Sequence, residues 1–279
     1  MSMPAAPPAP AVTARLRCVL SDALVITKRN LITVPRVLEI LIFATIQPVM
    51  FTLLFAYVFG GAISLPGGGS YREYLMAGVF GLTLAFTSTR TAVSLATDMQ
   101  QGLLDRFRSL PMSRSAVLAG RTTADLALTA VTIAVTSACG LAVGWRIHDG
   151  PGKAAAGFAL LFLLGYALSW AGAAIGMSVR TPEAATQAVL TWLFPLAFIS
   201  SAFVPTQGMP HWMQYIAAWN PISATAAACR QLWGNPQSPL AHPTWLTSHP
   251  ALLSAAWSVI ILACASALSI RKYRALLDR

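Results

Sequence analysis

The sequence predicts an all-α polytopic membrane protein with six transmembrane helices. Of its 279 residues 56% are hydrophobic and only 10% are charged. The mean hydropathy is +0.63, and the apolar residues gather into runs long enough to cross the hydrocarbon core of a bilayer. A soluble globule of ordinary make-up does not have this composition. The formal charge of +10 could suit nucleic acid, but bilayer topology also collects cations on the cytoplasmic side, so their distribution decides.

Residues 1–14 open with MSMPAAPPAPA, too rich in Pro and Ala to pack, and read as a disordered tail without the basic start and apolar stretch of a cleaved signal peptide. Residues 15–36 mix Leu, Val and Ile with Arg15, Arg17, Lys28 and Arg29. That pattern suits an amphipathic helix lying at the membrane surface, although a soluble surface helix uses the same residue types. The transmembrane domain then occupies residues 37–279. Its six spans fall at about 37–59, 74–96, 116–143, 154–179, 184–204 and 251–270.

The cations divide unequally between the two sets of connections. Fourteen lie before the first span, in the second and fourth connections and after the last span, against Arg72, Arg146, Lys153 and Arg230 on the other side. By the positive-inside rule both termini are cytoplasmic.

Arg90 falls inside the second span near its cytoplasmic end. It either snorkels to lipid phosphate or forms an intramembrane ion pair with Asp125 of the third span. Glu39, at the start of the first span, suits an anchor to Arg36 or to the interfacial helix. The third span carries Thr129, Thr132 and Thr136, and the fourth carries Gly172 and Gly176 as G-x-x-x-G, residue types that let helices approach closely in lipid. Pro48 and Pro195 each remove a hydrogen bond inside a span and bend it. The four cysteines, Cys18, Cys139, Cys229 and Cys264, are far apart and read as buried apolar thiols.

Residues 205–250 form the longest external stretch, rich in Trp and Pro. Trp212, Trp219, Trp233 and Trp245 suit the headgroup zone. Residues 212–218 and 223–233 look helical but are too short to span. His211, His242 and His249 lack metal-like spacing, so no metal is expected.

A basic island, GLLDRFRSLPMSRSAVLAGR, interrupts the apolar chain at residues 102–121. Leu103, Leu104, Phe107 and Leu110 recur at helical spacing beside Asp105, Arg106 and Arg108, until Pro111 stops the pattern before Arg114. The product is a short amphipathic rod parallel to the membrane. Resting on lipid and docking on a partner need the same residue types, so the pattern alone leaves both open.

Gly102-Leu-Leu-Asp-Arg-Phe-Arg-Ser-Leu-Pro-Met-Ser-Arg114 with Val117-Leu-Ala-Gly-Arg121 resembles the signature loop of ABC-2-type transporter permeases, particularly the daunorubicin-resistance subfamily. Gln47-Pro-Val-Met-Phe51, Phe59-Gly-Gly61, Val204-Pro205, Met209-Pro-His-Trp212 and Asn220-Pro-Ile-Ser223 with Arg230 extend the likeness along the chain in family order. One departure is Asp98, where many broader relatives carry Glu. The resemblance implies six transmembrane helices, an N-terminal interfacial helix, a cytoplasmic coupling helix (Leu103 to Arg114) and two re-entrant external helices before the last span. It implies an external gate at Trp212, Trp219, Asn220, Pro221 and Arg230, and places the first and fifth spans, with Gln47, Pro48 and Pro195, at a dimer axis. It further implies two permeases, identical or homologous, on two copies of an ATP-binding cassette ATPase subunit.

The energy source is expected elsewhere. The chain has no G-x-x-x-x-G-K-[ST] run, and Gly150-Pro-Gly-Lys153 lacks both the spacing and the following hydroxyl residue. ATP and Mg are therefore expected in the partner ATPase, with no cofactor on this chain. The leading function is the permease subunit of an exporter of amphipathic drugs, antibiotics or lipids in the plasma membrane. A secondary transporter or channel lacks an evident carboxylate cluster or inverted repeat, and a membrane enzyme lacks an evident catalytic constellation. Membrane lipids are expected partners and nucleic acid is not. An apolar, weakly charged pathway suits a hydrophobic cation or a lipid-like molecule.

Overall fold

Eight α-helices account for most of the chain in a computed structural model that describes residues 38–60, 63, 65, 68–101, 114–239 and 243–277. The expected tail at 1–14, the interfacial helix at 15–36 and Leu103 to Pro111 of the coupling helix lie outside the described residues. Helix α1 is Leu38–Leu54 and continues as a π-helical turn, Phe55–Phe59. It is followed by α2, Tyr71–Gln100, α3, Arg114–Val143, and α4, Pro151–Gly176. Then come α5, Pro182–Phe198, α6, His211–Trp219, α7, Pro221–Trp233, and α8, Pro250–Leu277.

Each expected span overlaps one of α1 to α5 or α8, although α5 stops at Phe198 rather than near residue 204. Among the described residues, three stretches are by themselves long and apolar enough to cross a membrane: Asp125–Val143, Pro151–Gly176 and Pro250–Tyr273. Ile46–Phe59 is apolar but shorter. Helix α2 is less apolar because its 30 residues include Arg72, Glu73, Arg90, Asp98 and a row of hydroxyl residues. Its position explains the tolerance. It packs against α3, α4, α5 and α7 and buries Tyr74 to Ala85 without a break, so protein rather than lipid surrounds that half.

Local chemistry sets where the helices begin. Pro151, Pro182, Pro221 and Pro250 each occupy the first position, where the missing N–H costs no intrahelical bond. Thr181 Oγ1 accepts the Ala184 N–H at 3.2 Å, closing the α4–α5 turn as a capped connection. Gly234 ends α7 with φ of 70°, and the Asn235 N–H returns to the Arg230 carbonyl at 2.9 Å. Pro48 and Pro195 lie inside α1 and α5, as the sequence requires.

Small residues let the helices touch backbone to backbone. A Cβ at Gly172 would lie 2.2 Å from the Ser88 carbonyl oxygen, and one at Gly176 would lie 2.5 Å from that of Ala92. The G-x-x-x-G of α4 is therefore the groove that receives α2.

Two sequence expectations are corrected. Trp212, Trp219 and Trp245 are exposed, but Trp233 is fully buried. The enclosure of α7 by α2, α4 and α8 places its indole 5.0 Å from the Trp145 ring, 5.4 Å from Phe80 and 5.3 Å from Phe158. Of the described cysteines only Cys229 is buried, while Cys139 is half-buried and Cys264 is exposed on α8.

Candidate functional site

Two polar constellations interrupt the apolar bundle. The first joins α7 to α2 and to the irregular segment after α5. Asn220 precedes α7, where its Oδ1 accepts the Ile222 N–H at 2.8 Å. Its Nδ2 donates to the carbonyls of Leu196, at 2.6 Å, and Ile199, at 2.8 Å, which the end of α5 leaves without helical partners. One buried amide thus starts one helix and finishes another.

Ten residues further on, Arg230 is 1% exposed. Its Nε donates to the Tyr74 carbonyl at 2.9 Å, and its Nη2 donates to the carbonyls of Ser201, at 3.0 Å, and Ala202, at 2.9 Å. The guanidinium carbon lies 3.5 Å from the Tyr74 ring centroid. A charge removed from water is costly unless its donors are satisfied. Here three carbonyl dipoles and a π face replace the solvent. Tyr74 and Tyr71 extend the lacing, donating from their hydroxyls to the Ser201 carbonyl at 2.7 Å and the Phe203 carbonyl at 2.9 Å. Ser201 donates its own N–H to Ser223 Oγ at 2.9 Å. A cavity of about 380 Å³ adjoins this knot, lined by Arg230, Gln231, Gln237, Thr206 and the start of α8.

The gate residues expected from the sequence therefore separate by burial. Asn220, Pro221 and Arg230 belong to the buried knot, whereas Trp212 and Trp219 stand exposed on α6. Tyr71, Tyr74 and Ser201 escaped sequence reasoning because their partners are backbone carbonyls, which carry no side-chain signature.

The second constellation lies where α2, α3 and α4 meet. Thr91 of α2 donates from Oγ1 to Asp125 Oδ2 of α3 at 2.7 Å, and Ser169 of α4 donates to the same oxygen at 2.8 Å. The two hydroxyls lie 3.2 Å apart. Three helices thus meet on one carboxylate oxygen, whose negative charge strengthens both bonds. Arg90 and Asp125 act on each other electrostatically, but the hydrogen bonds to Asp125 Oδ2 come from these hydroxyls. Hydroxyl residues at these depths were the available signal for Thr91 and Ser169; which faces meet was not.

Arg90 lines a second, open cavity of about 510 Å³. Gln47 of α1, Thr132 of α3 and the hydroxyl residues Thr83, Thr87, Thr89 and Ser94 of α2 share its wall with Phe86 and Val93. Pro48 is buried next to Gln47, and Pro195 is exposed on α5. Arg114 is the first residue of α3.

A bundle of apolar helices, three with stretches long and apolar enough to cross a membrane, suits a membrane-embedded protein. Residues 22–232 match the ABC-2 type transporter family, and the chain belongs to it. It is 35% identical over 192 residues to the daunorubicin resistance ABC transporter permease protein DrrB1 of Streptomyces coeruleorubidus, covering 69% of this chain and 68% of that protein. It is 25% identical over 215 residues to the doxorubicin resistance ABC transporter permease protein DrrB of Mycobacterium tuberculosis strain H37Rv, covering 77% of this chain and 74% of that one. The putative transport permease ycf38 of Cyanophora paradoxa is 24% identical over 233 residues, 82% of this chain and 77% of its own.

Proposed function

We propose that this chain is the membrane-spanning subunit of an ATP-driven exporter that moves amphipathic drugs, antibiotics or lipids out of the cell. The observation that carries the reading is the family match across residues 22–232, joined to a sequence without a phosphate-binding loop of its own. A permease without a nucleotide site takes its work from a partner. The match runs through the basic island, and its Leu103, Leu104, Phe107 and Leu110 supply the apolar face that a groove on an ATPase would grip, while Arg106, Arg108 and Arg114 fix orientation.

In this reading six helices cross the plasma or inner membrane with both termini in the cytoplasm, as the cation distribution favours. Two ATPase subunits bind ATP and Mg and drive two permeases, identical or homologous. The prolines of α1 and α5, with Gln47, shape the passage between them, and the buried knot at Asn220 and Arg230 holds α7 as an outer plug. The names of the relatives, daunorubicin and doxorubicin resistance permeases, support a drug or antibiotic cargo.

The test uses inside-out vesicles containing the permease with its co-expressed ATPase. Cargo uptake that requires ATP, and that is lost together with ATPase co-purification in the Leu104→Ser, Phe107→Ser double variant, supports the proposal. Uptake by the permease alone, driven by an ion gradient, overturns it.

A further inference from the structure

We propose that the groove beside Arg90 receives the anionic headgroup of an amphiphile, a phosphate or carboxylate, with the hydrocarbon tail laid along α1. Arg90 lies 19 residues into a helix of 30, roughly 28 Å from its start and 15 Å from its end. It is half-buried on the wall of a cavity of about 510 Å³, and it makes no hydrogen bond or ion pair with the described residues. A cation held at this depth is costly without compensation.

The near carboxylate is already engaged. Asp125 Oδ2 accepts from Thr91 at 2.7 Å and from Ser169 at 2.8 Å, so that oxygen anchors three helices, while the carboxylate acts on Arg90 through space without a hydrogen bond to it. What remains open is the guanidinium itself, a planar fork of donors suited to paired oxygens. Gln47 faces the same cavity from α1 and makes no hydrogen bond with the described residues, so its amide N–H groups are free to donate. Thr87 commits its hydroxyl proton to the Leu84 carbonyl at 2.6 Å and is not needed as a donor. Arg90 with Gln47 is therefore a set of donors awaiting an acceptor that carries negative charge.

The apolar half of the ligand follows from the same walls. Phe86 and Val93 line the groove. On α1, Ile46 and Met50 flank Gln47 and are 49% and 60% exposed. A headgroup at Arg90 thus places a chain directly on apolar surface. A quaternary ammonium headgroup has no N–H to donate and would face the like charge of Arg90 on the cavity wall. This specifies the cargo class of the proposed exporter and rests on that reading for the transport step, though binding can be measured without it.

The experiment uses the permease with its ATPase in phosphatidylcholine nanodiscs, and two probes of equal chain length, dodecyl phosphate and dodecyltrimethylammonium. Binding is counted by mass spectrometry of the intact complex, with inorganic phosphate as competitor. The expected result is a preference for dodecyl phosphate of about tenfold or more, lost in Arg90→Gln, kept in part in Arg90→Lys and weakened in Gln47→Leu. Inorganic phosphate is expected to compete only weakly, because it lacks the tail; competition equal to that of dodecyl phosphate overturns the amphiphile. Equal binding of the two probes by the unaltered complex overturns the site without any variant, as does a preference that survives in Arg90→Gln. ATP-dependent uptake distinguishes the two readings. A headgroup preference without ATP-driven uptake of any probe sinks the exporter and leaves the site, whereas uptake blind to headgroup sinks the site and leaves the exporter.

Discussion

Arg230 holds Tyr74 twice, laying its guanidinium 3.5 Å from the ring centroid and donating from Nε to the carbonyl of the same residue at 2.9 Å. The two residues lie 156 positions apart and fasten α7 to α2, while two further bonds fix the segment after α5. Replacement by Ala removes three hydrogen bonds and a cation–π contact at once, and leaves the Ala202 carbonyl without its Arg230 donor. The expected loss is about 3 kcal/mol or more, read from unfolding in mixed micelles. Arg230→Lys recovers only part of it, because one ammonium cannot serve three acceptors and stack on a ring. Full stability in the Lys variant would show that charge, not the fork, holds the knot.

Asn220 provides a sharper discrimination. An Asp at this position keeps the oxygen that caps Ile222 but replaces the amide donor facing the Leu196 and Ile199 carbonyls with a second acceptor. Loss of the cap alone costs about 1 kcal/mol. Asn220→Asp is therefore expected to lower the melting temperature at least as much as Asn220→Ala. An Asp variant as stable as the parent would reduce Asn220 to a cap.

These two residues also mark the boundary of what the sequence discloses. The long helices were legible because apolar residues run together over stretches of span length, and the short pair α6 and α7 because Pro210, Asn220 and Pro221 punctuate it. Arg230 was legible only as a cation on one side of the membrane. Its partners are carbonyls of residues 28 to 156 positions away, and a carbonyl is present at every position, so no spacing announces them. The same holds where α2, α3 and α4 meet. Thr91 and Ser169 are unremarkable hydroxyls until the rotation of three helices brings them to one oxygen. Trp233 was misplaced for a related reason: an indole suits both the lipid headgroups and an aromatic core, and only the packing of α7 decides between them.

The G-x-x-x-G groove of α4 yields a prediction with an internal control. Gly172→Ala sets a methyl 2.2 Å from the Ser88 carbonyl oxygen, which must then move with the backbone of α2. Forced separation of two packed elements costs about 1–3 kcal/mol. Gly152→Ala, in the same helix, meets nothing within 4 Å. The first variant is expected to melt several degrees lower in detergent and the second to match the parent. A Gly172→Ala protein of parental stability would show that α2 and α4 do not meet as closely as described.

The carboxylate shared by Thr91 and Ser169 predicts non-additive mutations. Each hydroxyl donates to Asp125 Oδ2, so Thr91→Val and Ser169→Ala each remove one charge-assisted bond, worth about 1.5–3 kcal/mol. Two groups that serve one oxygen are not independent, and the hydroxyls also face each other at 3.2 Å. After the first bond is lost, the remaining hydroxyl bond to that oxygen carries more of its solvation, so the double variant should lose more than the sum of the singles. Thr91→Ser, which keeps the donor and discards only a methyl, should remain within about 1 kcal/mol of the parent. The measurement is a double-mutant cycle on thermal stability of the purified permease. Strict additivity would mean that the two bonds act separately, and that α2, α3 and α4 are not joined through a single atom.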